Sequence, residues 1–286
     1  LSGDKGIDLV GFHGQTMYHN SKEKISKQLG DGKLLSQITK KNIVYNFRQN
    51  DIKNGGEGAP LTPIFHKLIS KQKKIKTPLC ILNIGGISNI TIIESNNEND
   101  FSSRDIGPGN CLIDLWIRKN SEKQFDKNGD LAARGTSNEI ILEQGQELYV
   151  NRPNKTSLSF DVNDFDVSFV RGLSLEDGAA TLTQFTGKII SSSLLNLLYK
   201  QTKKNFKVLI SGGGRKNKTL VDILKKMTSN KISIELIDNY GVDGDYVESQ
   251  AFAFLAIRCL IGEPITFPKT TGCNKPCRGG EILKIT

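Results

Sequence analysis

Between Leu82 and Asn110 the chain reads LNIGGISNITII, a polar interlude, then SRDIGPGN. An apolar run meets Gly85-Gly86 and resumes as a second apolar run. Glycines have access to backbone angles closed to other residues and let a ligand approach the main chain. Successive N–H groups in such a turn form a concavity for anions. Asp105 follows among glycines, where a carboxylate can act as a general base. A phosphate-binding turn beside a catalytic acid is one reading. The other is a plain hairpin turn, which Gly-Gly between strands also suits.

A second glycine cluster, Gly212-Gly213-Gly214, follows the β-rich run Phe206–Ile210 and precedes a helical pattern over Asn217–Met227. A strand, then glycines, then a helix is the order that presents amides to a phosphate or nucleotide; glycine triplets also occur in ordinary loops. His13-Gly14-Gln15-Thr16 lies where the apolar run Ile7–Phe12 ends. Open α/β sheets bind ligands at strand ends, although the same residues suit a simple strand exit. The loop Gly55–Leu61 can bring backbone against a substrate or serve as a connector. Glu248 begins an apolar helix, Ser249–Leu260, where an acid also suits the helix dipole alone.

These residues need positioning elements, and the patterning supplies them. Strands are expected at Ile7–Phe12, Ile43–Arg48, Phe206–Ile210 and Ile232–Ile237, with a hairpin over Leu79–Glu94. Helices are expected at Thr62–Ser70 with Pro63 in its first turn, and at Asn110–Arg118, Asn138–Tyr149 and Leu175–Tyr199. Phe125–Gly135 reads as a polar loop, and Arg152–Asp166 as polar and irregular. A length of 286 residues accommodates one large or two medium domains.

The net charge of +9 does not imply nucleic-acid binding. Of 39 basic residues only nine are Arg, and the Lys residues are scattered rather than arranged in a stripe. The densest group, Lys67–Lys76, suits the cationic end of a helix. No apolar run reaches the ~20 residues that span a bilayer. Five cysteines, most in apolar runs, fit a reduced, cytoplasmic protein. Cys273 and Cys277 form a Cys-x3-Cys pair with no second Cys or His pair, so no metal site is expected. The chain starts at Leu1 and enters an apolar run almost at once, as though its natural start were absent.

Taken in series, the motifs resemble the anhydro-N-acetylmuramic acid kinases. The matching pieces are GFHGQT at Gly11–Thr16, FRxxD at Phe47–Asp51, and GGEGAPLTP at Gly55–Pro63. They continue with NIGGISNIT at Asn83–Thr91, DIGPGN at Asp105–Asn110 and FDKNGDLAARG at Phe125–Gly135, then DGAATLTQFT, GGGRKN and GDYVESQAFAFLA. The resemblance covers essentially the whole chain.

It implies an α/β fold of the actin-like ATPase (ribonuclease H-like) kind, two domains around a central cleft. Residues 1–78 and 249–286 would form the remainder of an incomplete first domain, and 79–248 the second. It implies ATP with Mg²⁺, an amino-sugar substrate (1,6-anhydro-N-acetylmuramic acid), peptidoglycan recycling and homodimers. Asp105 is then the base that activates water, and Glu248 the second carboxylate. His13, Gln15, Thr16, Arg48, Asp51 and Gly58 fall on the sugar side. Arg48 would take the lactyl carboxylate, or instead pair with Asp51. Gly85 and Gly86 would face phosphates, Gly212, Gly213 and Gly214 the nucleoside, and Asn83 the water shell of the metal, with Gly107, Gly109 and Asn217 also nucleotide-binding.

The family's leading Gly/Ser/Thr-rich loop has no counterpart before Ile7, so several dozen residues are expected to be missing, an edge of the first sheet bare, and these 286 residues alone to have little or no kinase activity. Arg152–Phe160 fits the family's Pro-Pro-Lys-Ser pattern loosely, and Ile106 stands where Thr is usual. Two rival readings are a short relative that binds a muropeptide sugar without turnover, and another actin-like phosphotransferase.

Overall fold

The computed structural model describes residues 6–21, 23–97, 99–151, 165–200, 206–228 and 232–285. The segment 152–164, including the loosely matching Arg152–Phe160 stretch, lies outside them. Among the described residues the strands are β1 (Leu9–Phe12), β2 (Gln15–Asn20), β3 (Ile25–Leu29), β4 (Asn42–Tyr45), β5 (Leu79–Ile84), β6 (Ile87–Ile93), β7 (Phe101–Pro108), β8 (Phe206–Ser211), β9 (Ile232–Leu236) and β10 (Glu281–Leu283). The helices are α1 (Gly32–Thr39), α2 (Gln49–Lys53), α3 (Pro63–Gln72), α4 (Cys111–Asn120), α5 (Asp130–Arg134), α6 (Glu139–Val150), α7 (Leu175–Leu194), α8 (Lys218–Thr228), α9 (Val247–Leu260) and α10 (Pro268–Thr271). None is long and apolar enough to cross a membrane. Two compact units result: Leu1–Lys74, Glu98–Arg104 and Tyr246–Thr286 form the first, and Ile75–Asn97 with Asp105–Asp245 form the second.

The second unit is built on a five-stranded sheet in the order β7-β6-β5-β8-β9. β5 and β6 pair antiparallel, Leu79 opposite Ile93 and Asn83 opposite Asn89. β8 runs parallel to both β5 and β9. A strand covered on both faces reads as a continuous apolar run, and β5 (LCILNI) is buried at every position except Asn83. On one face Leu82, Ile84, Val208 and Ile210 pack with Ile190 and Leu194 of α7 and Leu220 and Leu224 of α8. A second cluster joins Leu112 and Trp116 of α4 to Leu142 of α6 and Leu182 and Phe185 of α7. The Ser174 hydroxyl caps α7 by accepting from the Asp177 amide. A methyl at Gly178 would lie 2.3 Å from the Trp116 ring, so glycine lets α4 reach α7. The Trp116 indole N–H donates to the Leu175 carbonyl at 3.0 Å.

In the first unit β4 lies between β1, parallel, and β10, antiparallel. Helix α9 rests on β1 so closely that a methyl at Gly11 would meet the Phe252 carbonyl oxygen at 2.3 Å. Val44, Phe47, Leu61, Phe252, Leu255 and Ile265 form the core beneath. β2 and β3 make a separate two-stranded hairpin.

Four expectations change here. The strand expected over Ile43–Arg48 ends at Tyr45, because Asn46 takes a left-handed φ of 57° and turns the chain into α2. Arg48 therefore stands at the start of a helix. Gln15 and Thr16 open strand β2 rather than sit in a turn. Asp105 lies within strand β7, not in a glycine loop. The loop expected over Phe125–Gly135 contains helix α5, whose first amides, from Leu131 and Ala132, donate to the Asp126 carboxylate at 2.8 and 3.0 Å.

Candidate active-site elements

In the second unit the glycine motifs converge on the end of β5. The Gly85 and Gly86 carbonyls accept from the amides that open α4: Asn110 to Gly85 at 2.8 Å, Gly109 and Cys111 to Gly86 at 2.9 and 3.1 Å. The Gly85 amide itself donates to the Ile87 carbonyl at 3.2 Å. The turn is therefore tight, and that N–H points inward rather than toward an anion. Gly85 instead offers the open face of its Cα: a methyl there would meet nothing nearer than the Ile87 carbonyl oxygen at 3.5 Å.

Glycine serves two different purposes in these loops. At Gly109 a methyl would stand 2.3 Å from the Gly85 oxygen, and at Gly214 it would stand 2.2 Å from Ile84 Cγ2. Gly107 packs on Ile189, where a methyl would come within 2.6 Å. Gly212 has φ +79° and leaves only 2.4 Å between an added methyl and Asn83 Oδ1. These four are required for packing. Gly213 is exposed, and among the described residues the nearest atom to an added methyl is Asn110 Nδ2 at 3.9 Å. At Gly85 and Gly213 the absence of a side chain thus leaves room for a ligand.

Beside Gly213 lies a cavity of about 550 Å³, lined by Asn110, Ile113, Asp114, Phe125, Lys216 and Asn217 among others. That size suits a nucleoside, with Ile113 and Phe125 as apolar walls. Asn217 is buried and caps α8, its Oδ1 accepting from the Leu220 amide at 3.0 Å. Burial pushes the Asp114 carboxyl up to about 6; Arg118 opposes the shift and Asp126 adds to it. The loop is fixed from behind by Arg215, only 5% of whose side chain is exposed. Its Nε donates to Asp238 at 2.9 Å and its Nη1 to Asp245 at 2.8 Å, with Asp243 at 3.7 Å. Those pairs hold the Asp238 and Asp245 carboxyls below the usual range, Asp245 to about 2.

Asp105 is half-buried on β7. The strand beyond it is fastened by Ser193, whose hydroxyl donates to the Ile106 carbonyl at 3.2 Å, and by Ser88, which donates to Pro108 at 3.0 Å. A carboxylate set on a pinned strand is a good platform for a positioned base.

In the first unit His13 and Arg48 come together. The imidazole stacks on Phe252 with centroids 4.2 Å apart. Arg48 Nη2 donates to His13 Nε2 at 3.1 Å, which makes the ring neutral with its proton on Nδ1. Burial, reinforced by Arg48, holds His13 down to about 3. Arg48 Nη1 donates to the Gly58 carbonyl at 2.8 Å. The Gly58 amide in turn donates to Asp51 Oδ2 at 2.7 Å, and the Thr271 hydroxyl to Asp51 Oδ1 at 2.7 Å. Asp51 is 1% exposed; its carboxylate ties the Gly55–Leu61 loop to the C-terminal segment. A cavity of about 370 Å³ adjoins His13, with Phe12, Gln28, Tyr45 and Gln49 in its lining. Gln15 is exposed and Thr16 half-buried on β2; Glu248 is exposed in the first turn of α9.

Sequence reasoning missed Arg215, Lys216, Asn110, Asp114 and Phe125. Arg215 and Lys216 directly follow the glycine triplet, and Asn110 closes the DIGPGN motif, so the signal was present as adjacency. Asp114 and Phe125 carry no local signal, since only the packing of α4 against the following loop brings them to the cavity.

The molecule is an α/β protein whose second unit joins glycine turns to a nucleoside-sized cavity. Residues 2–284 match the family model described as anhydro-N-acetylmuramic acid kinase. The anhydro-N-acetylmuramic acid kinase of Pelagibacter ubique is 51% identical over 97% of this chain and 74% of its own length. That of Zymomonas mobilis is 39% identical over 99% of this chain and 75% of its own length. The chain belongs to the anhydro-N-acetylmuramic acid kinase family and is an enzyme of the kinase class. Among solved structures, xylulose kinase from Lactobacillus acidophilus aligns over 69% of this chain and 41% of its own, with TM-score 0.44 and 16% identity. The Acidaminococcus fermentans (R)-2-hydroxyglutaryl-CoA dehydratase component A aligns over 69% and 68%, with TM-score 0.43 and 13% identity.

Proposed function

We propose that this family member opens 1,6-anhydro-N-acetylmuramic acid with water and phosphorylates O6 with ATP, giving N-acetylmuramic acid 6-phosphate for peptidoglycan recycling in the cytoplasm. The observation that carries the reading is Gly213, an open glycine position in the lining of a nucleoside-sized cavity. It is a cradle position a side chain would fill, next to the carboxamide of Asn110, whose backbone amide donates to the carbonyl of the open Gly85 turn. The two-unit α/β architecture fits an actin-like kinase. Gly85, Gly213 and Asn110 would border the phosphates, with Ile113 and Phe125 against the nucleoside and Lys216 at its polar edge. ATP supplies the phosphoryl group and Mg²⁺ offsets the charge on its oxygens.

The chain's own work is positioning and proton transfer. Asp105 takes a proton from the water that attacks C1 as the C1–O6 bond breaks. The departing O6 accepts the phosphoryl group, so no separate acid is needed to protonate it. Glu248 orients water or sugar. Arg48, already pointing one nitrogen at the Gly58 carbonyl and another at His13, carries the planar cation suited to a lactyl carboxylate. Neutral His13 and the side chains of Gln15 and Thr16 provide hydrogen bonds to hydroxyl or acetamido groups. Asp105→Asn removes the base and is expected to lower turnover about 10²–10⁴-fold while sugar binding persists. Near-normal turnover in that variant would overturn the assignment.

A further inference from the structure

We propose that Cys273, Cys277 and Asp51 form a binding site for a thiolate-preferring divalent cation, Zn²⁺ being the best match. One ligand atom from each lies within 4.8 Å of the other two. All three residues are nearly inaccessible, at 1%, 3% and 1% exposure. Tetrahedral zinc with thiolate and carboxylate bonds of about 2.0–2.3 Å spaces its donors about 3.3–3.8 Å apart, so small side-chain adjustments suffice. The fully buried Thr266 hydroxyl borders Cys273 and offers an oxygen for a fourth position.

The scaffold around the trio is unusually well tied for a loop. Cys277 donates its amide to the Thr266 carbonyl at 3.0 Å and accepts from Ile265 at 2.8 Å. Asn274 donates to the Asn54 carbonyl at 3.1 Å, and Glu57 to Thr271 at 2.8 Å. The Cys-x3-Cys turn is thereby stitched to the segment that follows Asp51. The Asp51 carboxylate receives the Gly58 amide and the Thr271 hydroxyl, both neutral donors, and each of its oxygens retains a lone pair.

Charge and ligand type favour this cation over others. Loading replaces two thiol protons with one dication, so the net charge of the buried cluster does not change and the two protons leave to solvent. Thiolates disfavour Mg²⁺ and Ca²⁺, which prefer oxygen donors throughout. A bond between the two sulfurs would leave Asp51 without a role in the cluster. The sequence concealed the site because its third donor comes from α2, far from the cysteine pair.

Cobalt(II) titration of the full chain, kept reduced, tests the inference. The expected result is one equivalent bound, with visible bands of tetrahedral cobalt and thiolate-to-metal charge transfer, both displaced by one equivalent of Zn²⁺. Cys273→Ser with Cys277→Ser should abolish the charge-transfer band, whereas Cys111→Ser should retain it. Should the double variant fail to fold, the native chain still decides: each equivalent of Zn²⁺ bound here should release two protons in a weakly buffered titration. Absence of stoichiometric binding, a charge-transfer band surviving the double variant, or zinc uptake without release of two protons would overturn the proposal. So would a Cys273–Cys277 disulfide that, once reduced, takes up no metal.

Discussion

Replacing Gly213 or Gly214 by alanine separates ligand space from packing space within one loop. At Gly214 the new methyl would lie 2.2 Å from Ile84 Cγ2 and 2.7 Å from Ile84 Cβ. Ordinary carbon contacts are about 3.5–4.0 Å, so the end of β5 or the loop must move by more than an ångström. Overpacking of that kind costs about 1–3 kcal/mol. For a chain of this size, at about 0.6 kcal/mol per degree, that corresponds to a fall in Tm of about 2–5 °C. At Gly213 the methyl points into open space and the backbone needs no left-handed angle. Gly→Ala at a compatible site stabilises by about 0.4–1 kcal/mol through the unfolded state, so Tm should hold or rise slightly. The same methyl occupies space assigned to nucleotide. An ångström of misplacement costs up to about 100-fold in rate, so a loss of about 10–100-fold in kcat/KM for ATP is expected. Thermal melts of both variants, together with calorimetric titration of ADP, test the contrast. A Gly213→Ala protein that binds nucleotide normally, or that melts several degrees lower, would refute the reasoning.

Other outcomes follow from the same geometry. Arg215→Met removes the cation shared by Asp238, Asp243 and Asp245; a loss of about 2 kcal/mol in a urea melt is expected, less than for fully enclosed pairs because the acids are partly exposed. Arg48→Lys cannot reach both Gly58 and His13 with one fork, so KM for the sugar should rise about 10-fold or more with ADP affinity unchanged by calorimetry. His66 is fully buried and held down to about 4. Between that value and about 6.5 the native chain binds fewer protons than the unfolded one, so stability rises with pH across the window, by on the order of 3 kcal/mol. His13 acts in the same direction and the raised Asp114 in the opposite one; urea midpoints at several pH values, with His66→Met flattening the slope, check the sign.

What was legible in the sequence is what local physics determines. The apolar runs around Gly85-Gly86 gave the β5–β6 hairpin because burial on both faces leaves no other pattern for β5. Pro63 and the helical spacing placed α3, and Asn110 the start of α4. The misses have equally physical causes. Asn46 ended β4 early through a left-handed angle that Asn tolerates and the pattern does not show. The β2–β3 hairpin escaped notice because its apolar residues are outside: Met17 and Leu29 are 65% and 63% exposed. Strand β7 was hidden by its glycine and proline, which read as a loop although Ser88 and Ser193 pin it. At the site, Gly85 and Gly213 were named as nucleotide positions, and both are open where a side chain would stand. Gly107, Gly109, Gly212 and Gly214 were named alongside them, yet each is glycine because a neighbour occupies the place of its side chain. Asp51 was assigned to the sugar side; its oxygens also accept from the Gly58 amide and the Thr271 hydroxyl, contacts that sequence does not reveal. Spacing along a chain gives no means of telling these cases apart.

Product formation in ¹⁸O-labelled water, measured with the protein, ATP and either 1,6-anhydro-N-acetylmuramic acid or N-acetylmuramic acid, tests the central claim most directly. The account predicts ATP-dependent conversion of the anhydro sugar to a 6-phosphate carrying one ¹⁸O at C1, lost in Asp105→Asn. Phosphorylation of only the open sugar, or an anhydro-derived product without label at C1, would contradict it.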